Sequence, residues 1–263
     1  MSSPGLRVLG TVAATVDGRP VRLGGPRQVA VLGVLLVAHG QVVPDDALIE
    51  AVWESTGPPA SATVTLRGYV KKLRKVLEPG RPPRERGRVL VREGSGYALR
   101  TGPGAVDSDR FTTLLNIADR YMADERHQAA VTALDEALSL WSGPAYAGFD
   151  GEPWALPEVT RLSHLRRVAR ERRLAARLAL GEDTTLIGDL EVLVAEEPMA
   201  ERAWELLVLA WYRSGRQDAA LAALRRARER LAEELGVDPG PSLRRLETAV
   251  LNQDQTLMAG RRR

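Results

Sequence analysis

The chain has 263 residues with no cysteine and only three histidines, His39, His127 and His164, far apart in sequence; disulfides and thiolate metal sites are excluded, and a metal cofactor is not expected. It is 44% hydrophobic and 27% charged, which excludes a disordered chain, and no apolar run approaches the roughly 20 residues of a membrane span. The net charge of +3 conceals an asymmetry: residues 1–100 carry 15 basic and 8 acidic residues, a balance of +7, whereas residues 101–263 carry 22 and 26, a balance of −4. A basic first third joined to an acidic remainder predicts two domains, the first facing a polyanion. The start, MSSPGLRVLG, has neither the basic nor the apolar region of a signal peptide, so the expected location is the cytoplasm.

Strands come first. LRVLG and TVAATV precede DGRP and VRL, with Asp17-Gly18 as a hairpin signal. GGPRQVAVLGVLLVAHG reads as a helix opened by Pro26 and stopped by Gly40. PDDALIEAVW reads as a second helix with acids in its first turn, and Trp53 at its end is expected in the core. The loop ESTGPPA cannot be helical at Pro58-Pro59. Ser61 is the expected cap of a third helix running to about Leu77.

That third helix is two-sided. Stepping about 100° per residue places Ala62, Leu66, Tyr69, Val70, Leu73, Val76 and Leu77 on one face, and Val64, Arg67, Gly68, Lys71, Lys72 and Lys75 on the other, with Arg74 at the border. After the breaker-rich EPGRPPRERG, RVLVREGSGYALR forms a closing hairpin with Gly94 and Gly96 at the turn. A small sheet, three helices and a hairpin describe a winged helix-turn-helix, an α+β fold over residues 1–101 whose third helix enters the DNA major groove and whose hairpin is the wing. Val64, Arg67, Gly68 and Lys71 are the expected base readers. Arg67 offers a bidentate fork to guanine, Val64 an apolar contact to a thymine methyl, and Gly68 close approach. Thr63, Lys72, Arg74 and Lys75 are expected on phosphates, with Arg92 and Ser95 reaching the backbone from the wing; Glu93 opposes that last contact.

TGPGAVDSD leads into an all-helical domain over residues 107–255, followed by a basic tail, 256–263, expected to be disordered. HQAAVTALDEAL aligns with RQDAALAALRRA, pairing Ala130 with Ala220, Leu134 with Leu224 and Ala137 with Ala227, the small-and-large alternation of tetratricopeptide-like repeats. Seven arginines between Arg161 and Arg177 are expected to pair with nearby acids rather than with nucleic acid, and Trp141, Trp154, Trp204 and Trp211 to lie in the core. No phosphate-binding loop or nucleophile elbow occurs, so no enzyme is expected.

GGPRQVAVLGVLL, DDALIEAVW, TVTLRGYVKKLRKVLEP, GSGYAL, EPWALPEVTRL, LVLAWYRSGRQDAALAAL, LAEELGVDPGPSLRRLE and LNQD together resemble the Streptomyces antibiotic regulatory protein family, with LALGEDTTLIGDLEVL departing from its pattern. The resemblance implies a winged helix like that of response regulators joined to a bacterial transcriptional activator domain. It implies an activator in the cytoplasm, associated with the nucleoid, that binds direct repeats in double-stranded promoter DNA and recruits RNA polymerase to antibiotic biosynthesis genes. The implied partners are sigma region 4, the alpha C-terminal domain and the beta flap of polymerase, and a second protomer on the adjacent repeat. Glu54, Ser55 and Thr56 then fall where polymerase contact is expected. Two alternatives stay open: a protein-interaction scaffold built on the helical repeats, and the N-terminal part of a larger signal-responsive regulator.

Overall fold

The computed structural model describes residues 4–54, 57–82 and 85–258. In order, its elements are β1 (Gly5–Arg7), β2 (Ala13–Val16), β3 (Arg19–Val21), α1 (Pro26–Val37), β4 (Val43–Pro44), α2 (Asp45–Trp53), α3 (Ala62–Leu77), β5 (Leu90–Glu93), β6 (Gly96–Leu99), α4 (Asp107–Ala123), α5 (His127–Ser139), α6 (Leu156–Ala179), α7 (Asp183–Glu196), α8 (Glu201–Arg213), α9 (Gln217–Leu235), α10 (Pro241–Leu251) and a 3-10 turn, Gln255–Met258. They form two compact units: Met1–Thr113 with Ala137–Arg166, and Leu114–Glu136 with Arg167–Arg263.

The first unit opens on an antiparallel meander, β1-β2-β3. Its second turn is Asp17-Gly18, both at positive φ (51° and 75°), the conformation a two-residue hairpin demands. α1 buries Val31, Leu32 and Leu35 completely. α3 packs on α1, α2, β2 and β5, and buries Ala62, Leu66, Val70, Leu73 and Leu77. Ser61 does not cap it with its side chain. The backbone there (φ −93°, ψ 13°) is not the extended conformation that aims an N-cap hydroxyl at the helix. Instead the Ser61 carbonyl accepts the N–H and hydroxyl of Thr65.

The second sheet, ordered β4-β6-β5, contains the expected closing hairpin, with Gly94 at φ +54° in its turn. Gly96 differs from expectation. It is needed for space, since a Cβ there would lie 2.2 Å from the Val43 carbonyl oxygen and block the pairing of β4 with β6.

Compactness divides the chain differently from a linker between residues 101 and 107. The Val8 and Leu9 N–H groups donate to the Asp107 carboxylate at 2.8 and 3.2 Å. The carbonyls of Val8, Leu9 and Gly10 accept the N–H groups of Tyr146, Ser142 and Ala147 at 2.8, 2.8 and 2.9 Å. Trp154 packs over Gly33 of α1, where a Cβ would come within 2.7 Å of its ring. The backbone polar groups that follow β1 thus find their partners far along the chain, because buried N–H and C=O groups cannot be left unpaired.

In the second unit a continuous core includes Leu186, Leu190, Leu193, Trp204, Leu207, Leu224 and Val250. Every aligned repeat position is buried: Ala130, Leu134 and Ala137, and Ala220, Leu224 and Ala227. Six of the seven arginines of the run are paired with acids as expected. Arg167 meets Glu197, Arg170 meets Glu196, Arg172 meets Asp119, Arg173 meets Asp135, and Arg177 meets Glu182 and Asp189. In the first unit Arg161 clasps the buried Glu158, and Arg166 lies over Trp141. Residues 256–258 are not part of a loose tail. Leu257 packs on the core, and its carbonyl accepts a bond from Arg213 Nε at 2.7 Å; residues 259–263 lie outside the described residues.

Burial pushes the Asp107 carboxyl above its ordinary value, while the N–H groups of Val8, Leu9 and Ser108 pull it down. Replacing Asp107 with Ala orphans the Val8 and Leu9 donors and is expected to destabilise the first unit by about 1–3 kcal/mol. Thermal unfolding of the full chain reads this; an unchanged transition would show that the N-terminal segment is held some other way.

Candidate nucleic-acid interface

The buried stripe of α3 fixes the direction of its opposite side. Thr63, Val64, Arg67, Lys71, Lys72 and Lys75 are all exposed there, Val64 at 71%, unusual for a large apolar side chain. The helix contains no acid. Among the described residues none of Arg67, Lys71, Lys72 and Lys75 is ion-paired. Arg67, Lys71 and Lys75 recur every four residues, and like charges at that spacing destabilise a helix by about 0.2–0.5 kcal/mol per pair. Gly68 stands between them. A Cβ on it would meet nothing within 4 Å, so no contact inside the protein requires a glycine that costs a helix roughly 0.5–1 kcal/mol. An unneutralised cationic face with an open notch is suited to an extended anion that comes close to the backbone.

Two of the expected phosphate contacts have a different environment. Arg74 is half-buried; its Nε donates to the Leu90 carbonyl at 2.7 Å and its guanidinium lies 5.7 Å from the Tyr97 ring centre. Burial pushes its pKa down. Arg92 pairs with Asp45 at 2.6 and 2.9 Å and sits 4.6 Å from the same ring; the hydrogen bond to Asp45 raises its pKa. Tyr97 thus has both guanidiniums against it: Arg74 ties α3 to β5, and Arg92 ties β5 to α2. Counting charge along the sequence groups them with Lys72 and Lys75, which make no such bonds. Ser95 is exposed at the hairpin turn, and its carbonyl accepts the Asp45 N–H at 3.1 Å. Glu93 is paired with Arg100 at 2.9 Å, which offsets its charge on the wing.

Glu54 is exposed at the end of α2, whereas Ser55 and Thr56 lie outside the described residues. Trp53 is a core residue, 2% exposed and stacked on Tyr69 at 6.1 Å. The cationic count missed a groove lined by Gly25, Pro26, Arg27, Gln28, Tyr69 and Lys72. Its sequence signal is a lone amide, Gln28, inside the apolar run of α1.

Two family models match the chain, one ending at residue 99 and the other starting at residue 106. Residues 18–99 match the family described as "Transcriptional regulatory protein, C terminal", and residues 106–251 match the "Bacterial transcriptional activator domain". The chain is 40% identical over 251 residues to the regulatory protein AfsR of Streptomyces coelicolor, covering 95% of this chain and 24% of that protein. It is 36% identical over 247 residues to the transcriptional regulatory protein EmbR of Mycobacterium tuberculosis (94% and 63%), and 34% identical over 255 residues to the transcriptional regulator RedD of Streptomyces coelicolor (96% and 71%). The chain therefore spans about a quarter of AfsR and less than two thirds of EmbR. The solved structure of Mycobacterium tuberculosis EmbR in complex with a low affinity phosphopeptide is similar with a TM-score of 0.88 at 34% identity, over 98% of this chain and 69% of that one.

Proposed function

This chain belongs to the Streptomyces antibiotic regulatory protein family of transcriptional activators, and from that premise we propose that it binds direct repeats in promoter DNA through α3 and recruits RNA polymerase to antibiotic biosynthesis genes. The observation that carries the reading is the outward face of α3, where four cations stand without counterions among the described residues. Arg67 is the principal base reader, because its planar fork matches guanine O6 and N7; Lys71, one turn on, supplies a second donor. Val64 meets a thymine methyl, and Gly68 lets the helix approach. Thr63, Lys72 and Lys75 hold phosphates. On the wing, Ser95 is open to the backbone, and Arg92 reaches it on leaving Asp45.

Direct repeats call for a head-to-tail pair of protomers rather than a two-fold one. Glu54, Ser55 and Thr56 meet sigma region 4, with the alpha C-terminal domain and the beta flap as further polymerase contacts. A scaffold that works only through its helices has no use for a cationic α3, so that face separates the two readings.

Arg67→Ala is expected to cost about 1–3 kcal/mol on the preferred site and to relax preference at one base, whereas Lys75→Ala weakens all duplexes alike and lowers the salt slope by about one. Titrations at several salt concentrations read both; Arg67→Ala with wild-type affinity and preference contradicts the groove assignment. Inserting about 5 bp between the repeats turns the second site to the opposite side of the helix and abolishes joint occupancy; undiminished joint occupancy counts against the tandem arrangement. Replacing Glu54, Ser55 and Thr56 together leaves DNA affinity within about threefold, since exposed charges contribute little, and lowers transcription by purified polymerase much further. Normal transcription from that variant would place the polymerase contact elsewhere.

A further inference from the structure

Of the residues lining the groove between the start of α1 and the flank of α3, only Lys72 has a part in the assignments above. The groove's most unusual lining residue is Gln28, which is 5% exposed. The Gln28 amide lies over Gly24, which has φ +99° and where a Cβ would come within 2.7–2.8 Å of the amide atoms. Gly24 therefore leaves the space that the amide occupies. Among the described residues that amide has no hydrogen-bond partner, and neither of its polar atoms is sealed from solvent. Because Gln28 lines an open groove, its partner can come from outside.

The lining chemistry identifies the partner. No acid lines the groove. The Gln28 amide and the Tyr69 phenol are neutral donors, Lys72 is an exposed ammonium, and the positive end of the α1 dipole is at Gly25 and Pro26. Two neutral donors beside two cations, Lys72 and Arg27, whose guanidinium lies 5.8 Å from the Trp53 ring centre, suit the oxygens of a phosphate. On α3, Tyr69 and Lys72 lie to one side of the face that carries Val64, Gly68, Lys71 and Lys75. A helix in the major groove turns its flanks toward the sugar-phosphate strands that border it. We propose that this groove seats one phosphodiester of the strand bordering the base-reading face, with Gln28 and Tyr69 as neutral donors and Lys72 as the charge. This rests on the assignment of α3 as the DNA-reading helix.

Gln28→Met keeps the volume and removes the amide. In the full chain it is expected to leave the unfolding temperature unchanged or raise it, because an unbonded amide has been removed, while duplex affinity falls about 3–10-fold for preferred and random sequences alike. The salt slope stays constant, since a neutral donor displaces no counterion, whereas Lys72→Ala lowers it by about 0.9. A scan with single methylphosphonate linkages then finds one position that weakens the wild type several-fold and leaves the Gln28→Met/Lys72→Ala variant unaffected.

A lower unfolding temperature for Gln28→Met would mean that the amide supports the fold, and overturns the proposal. So does a scan with no such linkage, or millimolar inorganic phosphate stabilising the wild type but not the double variant while the scan is flat. A wild type that responds to Arg67→Ala but not to Gln28→Met overturns the groove alone. A wild type that binds no duplex overturns the reading beneath it as well.

Discussion

The docking of α3 determines everything that follows. Leu66, Val70, Leu73 and Leu77 are all but inaccessible to solvent, and a helix cannot bury that stripe without presenting Arg67, Lys71 and Lys75 to water. Burying a Leu or Val side chain contributes roughly 1.5–3 kcal/mol, whereas each like-charge pair at four-residue spacing costs about a tenth of that. Packing therefore wins over repulsion by a wide margin. The fold can hold a concentrated positive face that no acid among the described residues neutralises.

The rest of the first unit holds that helix in place. Arg74 bonds the Leu90 carbonyl and Arg92 pairs with Asp45, so α3, the hairpin and α2 are joined through two guanidiniums that both lie against one tyrosine. The same residue type serves two purposes a few positions apart. Arg74, half-buried, is a structural tie; Arg67, exposed, is available. Elsewhere six of the seven arginines of α6 are paired with acids, unlike Arg67 on the outward face of α3.

Much of this was legible in the sequence because it depends on local periodicity. The two-sidedness of α3, the Asp17-Gly18 turn and the closing hairpin are short-range patterns, and each agrees with the structure. What was not legible depends on contacts distant in sequence. Asp107 receiving the Val8 and Leu9 N–H groups, Trp154 lying over Gly33 and Gly96 giving room to Val43 join segments between about 50 and 120 residues apart. Arg74 stands at the border of the outward face and Lys75 on it, but both read as phosphate contacts until β5 lies beside Arg74. Gln28 acquires its groove only where Tyr69 and Lys72 of α3 come beside the start of α1.

The most direct measurement is a structure of the chain bound to a duplex selected from a random library. The account predicts α3 within the major groove, the Arg67 guanidinium within hydrogen-bond distance of a guanine edge, and the Gly68 Cα in van der Waals contact with the DNA. A complex in which α3 lies outside the groove, with Arg67 in solvent or only on phosphate, would contradict it.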